Sequence, residues 1–113
     1  MLTASDGGIA DLFGSSISID GDRMLIGAFN AADSTSNQAG KVYIFDFDGE
    51  NWNETAILQS NRSNNIANMG VSVSLDGDWA VSGVHLDNEV QGGAGAAIVH
   101  HFDGANWNFH SDW

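Results

Sequence analysis

The chain predicts an all-β fold, made of two copies of one four-stranded antiparallel unit. Three observations predict it. The heptapeptide FDGENWN at 47–53 returns as FDGANWN at 102–108. Short stretches alternate serine with Ile, Val or Leu and stop at Asp-Gly, which is the period of a half-buried strand entering a tight turn. No segment of helical length carries a ~3.6-residue apolar period.

The repeat covers nearly the whole chain. SSISIDGDRMLIG at 15–27 aligns with VSVSLDGDWAVSG at 71–83, 56 positions on, and Phe13-Gly14 aligns with Met69-Gly70 at the same spacing. GKVYIFDFDGENWN at 40–53 aligns with GAAIVHHFDGANWN at 95–108, 55 positions on, so the loop before Gly95 is one residue shorter. Leu2-Thr3 matches Leu58-Gln59. Residues 1–113 therefore read as a single tandem-repeat unit. The first copy spans about 13–59 and the second about 69–113, and 1–12 form a leader that resembles the end of a preceding unit.

Each copy reads as four strands. The first is SSISI (15–19) or VSVSL (71–75). Asp20-Gly21 and Asp76-Gly77 follow, and Asp-Gly predicts a type I′ hairpin turn. The second strand is RMLIGA (23–28) or WAVSGV (79–84), followed by a polar loop over 30–39 or 86–94. The third is KVYIFDF (41–47) or AAIVHHF (96–102). In the first copy this strand is apolar on both faces, so it is expected to be covered on both. Asp48-Gly49 and Asp103-Gly104 open the next hairpin, and the fourth strand begins at Trp52 or Trp107. Two four-stranded meanders in tandem are two blades of a partial β-propeller, completed by oligomerisation or by a larger chain.

Composition narrows the partners. Hydrophobic residues make up 42% and charged residues 16%, too apolar a balance for intrinsic disorder. Fifteen acids face three bases, Arg23, Lys41 and Arg62, for a net charge of −12. Such a chain repels nucleic acid and anionic membrane, and attracts cations or a basic partner. Cysteine is absent, so there is no disulfide framework. No apolar run approaches the ~20 residues that span a bilayer, and no signal-peptide pattern is visible, so no membrane insertion is expected.

The residues in this order resemble the FG-GAP repeat of integrin α-subunit propellers and of many bacterial surface proteins. The match in the first copy is Phe13-Gly14, Asp20-Gly21, Leu25-Ile26-Gly27-Ala28, Gly40, Tyr43-Ile44-Phe45 and Trp52. The second copy departs from it: Met69 stands for Phe, Gly83-Val84 for Gly-Ala, and Ile98-Val99-His100 for Tyr-Ile-Phe. Kelch and WD-repeat propellers fit less well. Gly92-Gly93 occurs in one copy, and no Trp-Asp strand ending recurs. The resemblance implies a binding or scaffold module at the cell surface or outside the cell, acting in adhesion or protein–protein contact.

Calcium enters through the resemblance, since some blades of the family hold Ca²⁺ in a DxDxDG-like loop. The turns Asp20-Gly21-Asp22 and Asp76-Gly77-Asp78 are too short to supply 6–8 oxygens. The remaining ligand candidates are Asp87 and Glu89 in a polar loop, beside the ordinary reading of that loop as solvated. His100 and His101 are adjacent in a strand, point to opposite faces and cannot share one ion.

For ligand contact the candidates are Trp52 and Asn53 with Trp107 and Asn108. A tryptophan flanked by asparagines can stack on a sugar ring and bond its hydroxyls, which gives a lectin-like alternative. The competing reading is that tryptophans at one repeat position pack between blades. Nucleophile elbows, phosphate loops and metalloprotease motifs are absent, and the acids are scattered over turns, so no enzyme is expected. The partners expected are further blades or copies of the chain itself, because two blades leave two outer faces open, together with a protein or glycan ligand.

Overall fold

A computed structural model of the chain describes residues 1–3, 5, 12–29, 40–59, 66–67, 69–86 and 95–112. The first sheet runs β1 (Phe13–Asp20), β2 (Arg23–Ala28), β3 (Lys41–Phe47) and β4 (Trp52–Leu58), in that spatial order. The second contains β5 (Ile66–Ala67), β6 (Val73–Asp76), β7 (Trp79–Leu86), β8 (Gly95–Phe102) and β9 (Trp107–Asp112). Its order is β5-β7-β8-β9, with β6 pairing the same strand, β7, as β5. Every pairing between strands is antiparallel. Among the described residues there is no helix, so none is long and apolar enough to cross a membrane. The expected all-β pair of blades is what the chain forms.

Two local expectations are corrected. The first turn of each blade is not type I′. Asp20 pairs with Arg23 and Asp76 with Trp79, so the central residues are Gly21-Asp22 and Gly77-Asp78. Only the glycines have positive φ, 60° and 58°. A glycine with positive φ at the first central position is the type II′ pattern. The reading failed because it placed Asp-Gly, rather than Gly-Asp, at the apex.

The first strand of the second blade, expected over 71–75, begins only at Val73. Residues 69–70 serve the contact between sheets instead. Met69 forms a parallel bridge with Gly40, and the Gly70 carbonyl accepts the Ser16 hydroxyl at 2.6 Å. Gly27 leaves the room for that carbonyl: a Cβ there would collide with it and with Ser16 Oγ.

The doubly apolar β3 is covered on both faces. Val42 and Ile44 enter a cluster between the sheets with Leu25, Leu75, Ala80 and Ile98. Tyr43 and Phe45 point to the other side and form a second cluster with Ile26 and Ala28. Phe13 meets Tyr43 and Phe45 edge-on, at centroid distances of 5.4 and 6.0 Å. Leu2 of the leader packs against this second cluster. The Ser5 amide and hydroxyl both donate to the Glu54 carboxylate, at 2.9 and 2.6 Å.

Candidate functional site

The repeated heptapeptide is a turn that holds itself. Asp48 Oδ1 accepts the amides of Glu50 and Asn51, each at 2.8 Å, and Oδ2 accepts the Asn53 side-chain amide at 2.9 Å. Asp103 does the same with Ala105, Asn106 and Asn108, at 2.8, 2.7 and 2.9 Å. Gly49 and Gly104 take φ of 104° and 101°, which admits glycine and strains other residues. The bonds from Asn51, Glu50 and Asn53 hold the Asp48 carboxyl below its ordinary value, and those from Asn106, Ala105 and Asn108 do so for Asp103. The position occupied by Glu50 and Ala105 contributes only its backbone amide, so it is the one that differs.

Both tryptophans are half-buried and stack on the phenylalanine that opens their own hairpin. The Phe47–Trp52 and Phe102–Trp107 centroids are each 5.2 Å apart. The structure does not bring the two together. Trp52 packs on the leader side of the first sheet, and Trp107 packs against the cluster between the sheets. Asn53 and Asn108 are exposed, each with its amide donated to an aspartate.

Arg23, which the sequence reading did not single out, ties the two sheets at this point. Its guanidinium lies over the rings of Phe102 and Trp107, 4.5 and 5.1 Å from their centroids. Nε donates to Asp46 Oδ1 at 2.7 Å, and Nη1 is 3.6 Å from the Asp78 carboxylate. The other Asp46 oxygen accepts the Thr55 hydroxyl at 2.7 Å. Beside this network lies a groove of about 190 Å³, with Asp46, Thr55 and Ala56 on one wall and Phe102, Asn106 and Trp107 on the other. It is smaller than the ~300 Å³ at which pockets for drug-sized ligands begin, and has room for one small ring or side chain. Asp46 thus accepts from Arg23 with one oxygen and from Thr55 with the other. A signal for Arg23 was present: it aligns with Trp79, so the two copies place an aromatic or a ring-stacking cation at one position.

Asp87 and Glu89 lie outside the described residues. Among the described residues no three or more His, Asp or Glu side chains gather into a metal-binding group. Asp20 Oδ2 accepts the Gly77 amide at 2.7 Å and so joins one short aspartate turn to the other. His101 and His110 flank Trp79, with centroids at 4.2 and 5.0 Å. His100 points to the opposite face, where it is buried, and burial pushes its pKa below 6.5. Neither His100 Nδ1 nor the hydroxyl of buried Ser82 has a hydrogen-bond partner among the described residues.

Residues 1–45 match the sequence model of the FG-GAP repeat. That stretch of the chain is similar to an FG-GAP repeat. The match takes in the leader, β1, β2 and most of β3, so the FG-GAP signature rests on the first blade, while the second is tied to it by the internal repeat. No curated protein and no solved structure matches the chain.

Proposed function

We propose that this FG-GAP module is a non-catalytic binding and scaffold unit, acting in adhesion or protein–protein contact at the cell surface or outside the cell. One observation carries the reading. The repeated polar residues serve the chain's own turns, while large apolar side chains are left exposed on the sheets: Ile17, Ile19, Trp79 and Phe109. Surfaces of that kind mark protein contacts. The strongly acidic balance favours a basic protein surface as partner. Calcium, if the module takes it, would be held by Asp87 and Glu89, and EDTA would then weaken adhesion.

Binding to intact cells before and after surface treatment tests this. Adhesion through protein is lost after mild protease treatment and survives enzymatic deglycosylation. The reverse pattern overturns the reading.

The groove beside Trp107 favours a second reading, in which it accepts one sugar ring. Glycan-array binding and quenching of tryptophan fluorescence by a sugar would support it. Trp107→Ala would then abolish the quenching and Trp52→Ala would leave it, since Trp52 lies outside the groove. Absence of quenching by every glycan sets this reading aside.

A further inference from the structure

The second blade puts three rings where the first has a polar trio. Arg23, Asp46 and Thr55 align with Trp79, His101 and His110. Arg23 stands opposite Asp46 across β2 and β3, and Trp79 stands opposite His101 across β7 and β8. The third member sits in a bulge in both copies. In β4 the register passes from Ile44↔Ala56 to Phe45↔Glu54 and skips Thr55. In β9 it passes from Val99↔Ser111 to His100↔Phe109 and skips His110. A bulge re-aims the side chain it carries. In the first blade it turns Thr55 onto Asp46, where the hydroxyl donates to Oδ2 at 2.7 Å. The same bulge in the second blade turns His110 toward His101.

The ring contacts agree with that placement. Both imidazoles lie against the one indole of Trp79: His101 at 4.2 Å and tilted by 42°, His110 at 5.0 Å and edge-on at 77°. His110 is exposed, His101 is half-buried and Trp79 is 42% exposed, so solutes reach the group. Imidazole is a ligand for zinc, copper and nickel. Two imidazoles are fewer than the three protein ligands of a catalytic zinc site or the four of a structural one. They suit an ion that keeps water in its remaining positions, as Cu²⁺ does in a tetragonal field of nitrogen and oxygen. For a given set of ligands Cu²⁺ also binds most tightly among the divalent first-row ions. The net charge of −12 concentrates cations around the chain.

We propose that His101 and His110 together hold one divalent transition-metal ion beside Trp79, and that Cu²⁺ is held most tightly. Each histidine gives one ring nitrogen. The other nitrogen of each ring can keep a hydrogen bond, which fixes the tautomer and orients the ring. Water fills the remaining positions. His100 takes no part, because it lies buried on the opposite face of the same strand. This ion is distinct from any calcium at Asp87 and Glu89, since calcium takes oxygen ligands. It is also independent of the adhesive contact the module makes.

Titration of the full chain with Cu²⁺, read by calorimetry and electron paramagnetic resonance, tests this. One ion is taken up per chain, with two nitrogen donors in the spectrum. Zn²⁺ and Ni²⁺ bind more weakly, and excess Ca²⁺ displaces none of the copper. His101→Gln and His110→Thr, the latter restoring the residue of the first blade, each weaken binding. Each loss exceeds the about 10–100-fold that removing an outer-shell partner costs. His85→Gln leaves the affinity in place. Trp79→Phe keeps the copper and loses most of its quenching of tryptophan fluorescence. Circular dichroism checks that each variant keeps its strands. Should His101→Gln unfold, selective NMR broadening of the His101 and His110 imidazole protons by substoichiometric Cu²⁺ replaces it. A chain that takes up no copper overturns the proposal, as does a spectrum with a single nitrogen donor. So does copper bound equally well by both histidine variants, zinc bound more tightly than copper, or quenching that survives Trp79→Phe.

Discussion

The first and second blades share their turns and differ in their interiors. Asp48 and Asp103 make the same three hydrogen bonds, each within 0.1 Å of its counterpart. By contrast the first blade buries Ile26 and Phe45 where the second buries Ser82 and His100. A turn needs particular residues because one carboxylate must meet two amides and an asparagine at fixed positions. A core position needs only volume and a neighbour, so polar atoms can enter it at a cost. Among the described residues the second blade carries that cost in two atoms without a hydrogen-bond partner, Ser82 Oγ and His100 Nδ1.

The largest break in this comparison comes from the cluster between the sheets. Ile44→Ala is expected to cost about 2–5 kcal/mol in urea unfolding, because Ile44 is fully buried. Its counterpart Val99 is only half-buried on the open face, and Val99→Ala is expected to cost about 1 kcal/mol or less in the monomer. Equal losses would mean that the two faces are alike.

Giving the second blade an interior like that of the first should stabilise it. His100→Phe with Ser82→Ala removes both unpartnered atoms and is expected to gain about 1–3 kcal/mol. The change also removes a pH effect. Burial lowers the His100 pKa, so the unfolded chain takes up this proton first as the pH falls. Stability from this group is therefore level above the ordinary histidine value and falls as the pH drops below it. In the double variant that part of the slope disappears from denaturation curves taken across this range.

Arg23→Met removes a half-buried ion pair and two ring contacts and is expected to cost about 1–2 kcal/mol in thermal or urea unfolding. Trp79→Met, at the same repeat position, is expected to change the stability less, since Trp79 is 42% exposed. The smallest effect is at the turns. Asp48 and Asp103 titrate below the ordinary aspartate value by NMR, and Asn53→Ala moves Asp48 upward while leaving Asp103 in place. Their contribution is present above the unfolded aspartate pKa and lost as the pH falls through the lowered folded values.

Local chemistry was the legible part of the sequence. Strands β2 and β3 begin and end, and β4 begins, where the alternation and the Asp-Gly pairs place them, and the doubly apolar β3 announced two covered faces. The turn type was misread because Asp-Gly names the residues of a turn and not their register. The hydrogen bonds of Asn53 and Asn108 were hidden for a related reason. Exposure is visible in composition, but the aspartate that claims each amide five residues earlier is visible only once the turn has closed.

The sequence alone determined that this chain is two copies of one antiparallel sheet, because side-chain period and turn residues act over a few neighbouring positions. Only the tertiary structure decided which face of each sheet meets the other. It also placed Arg23 over the rings of the second blade and left Ile17, Ile19 and, in part, Trp79 exposed. Those outcomes join residues more than fifty positions apart, where what matters is which surfaces the folded sheets present to each other, and no local pattern encodes it.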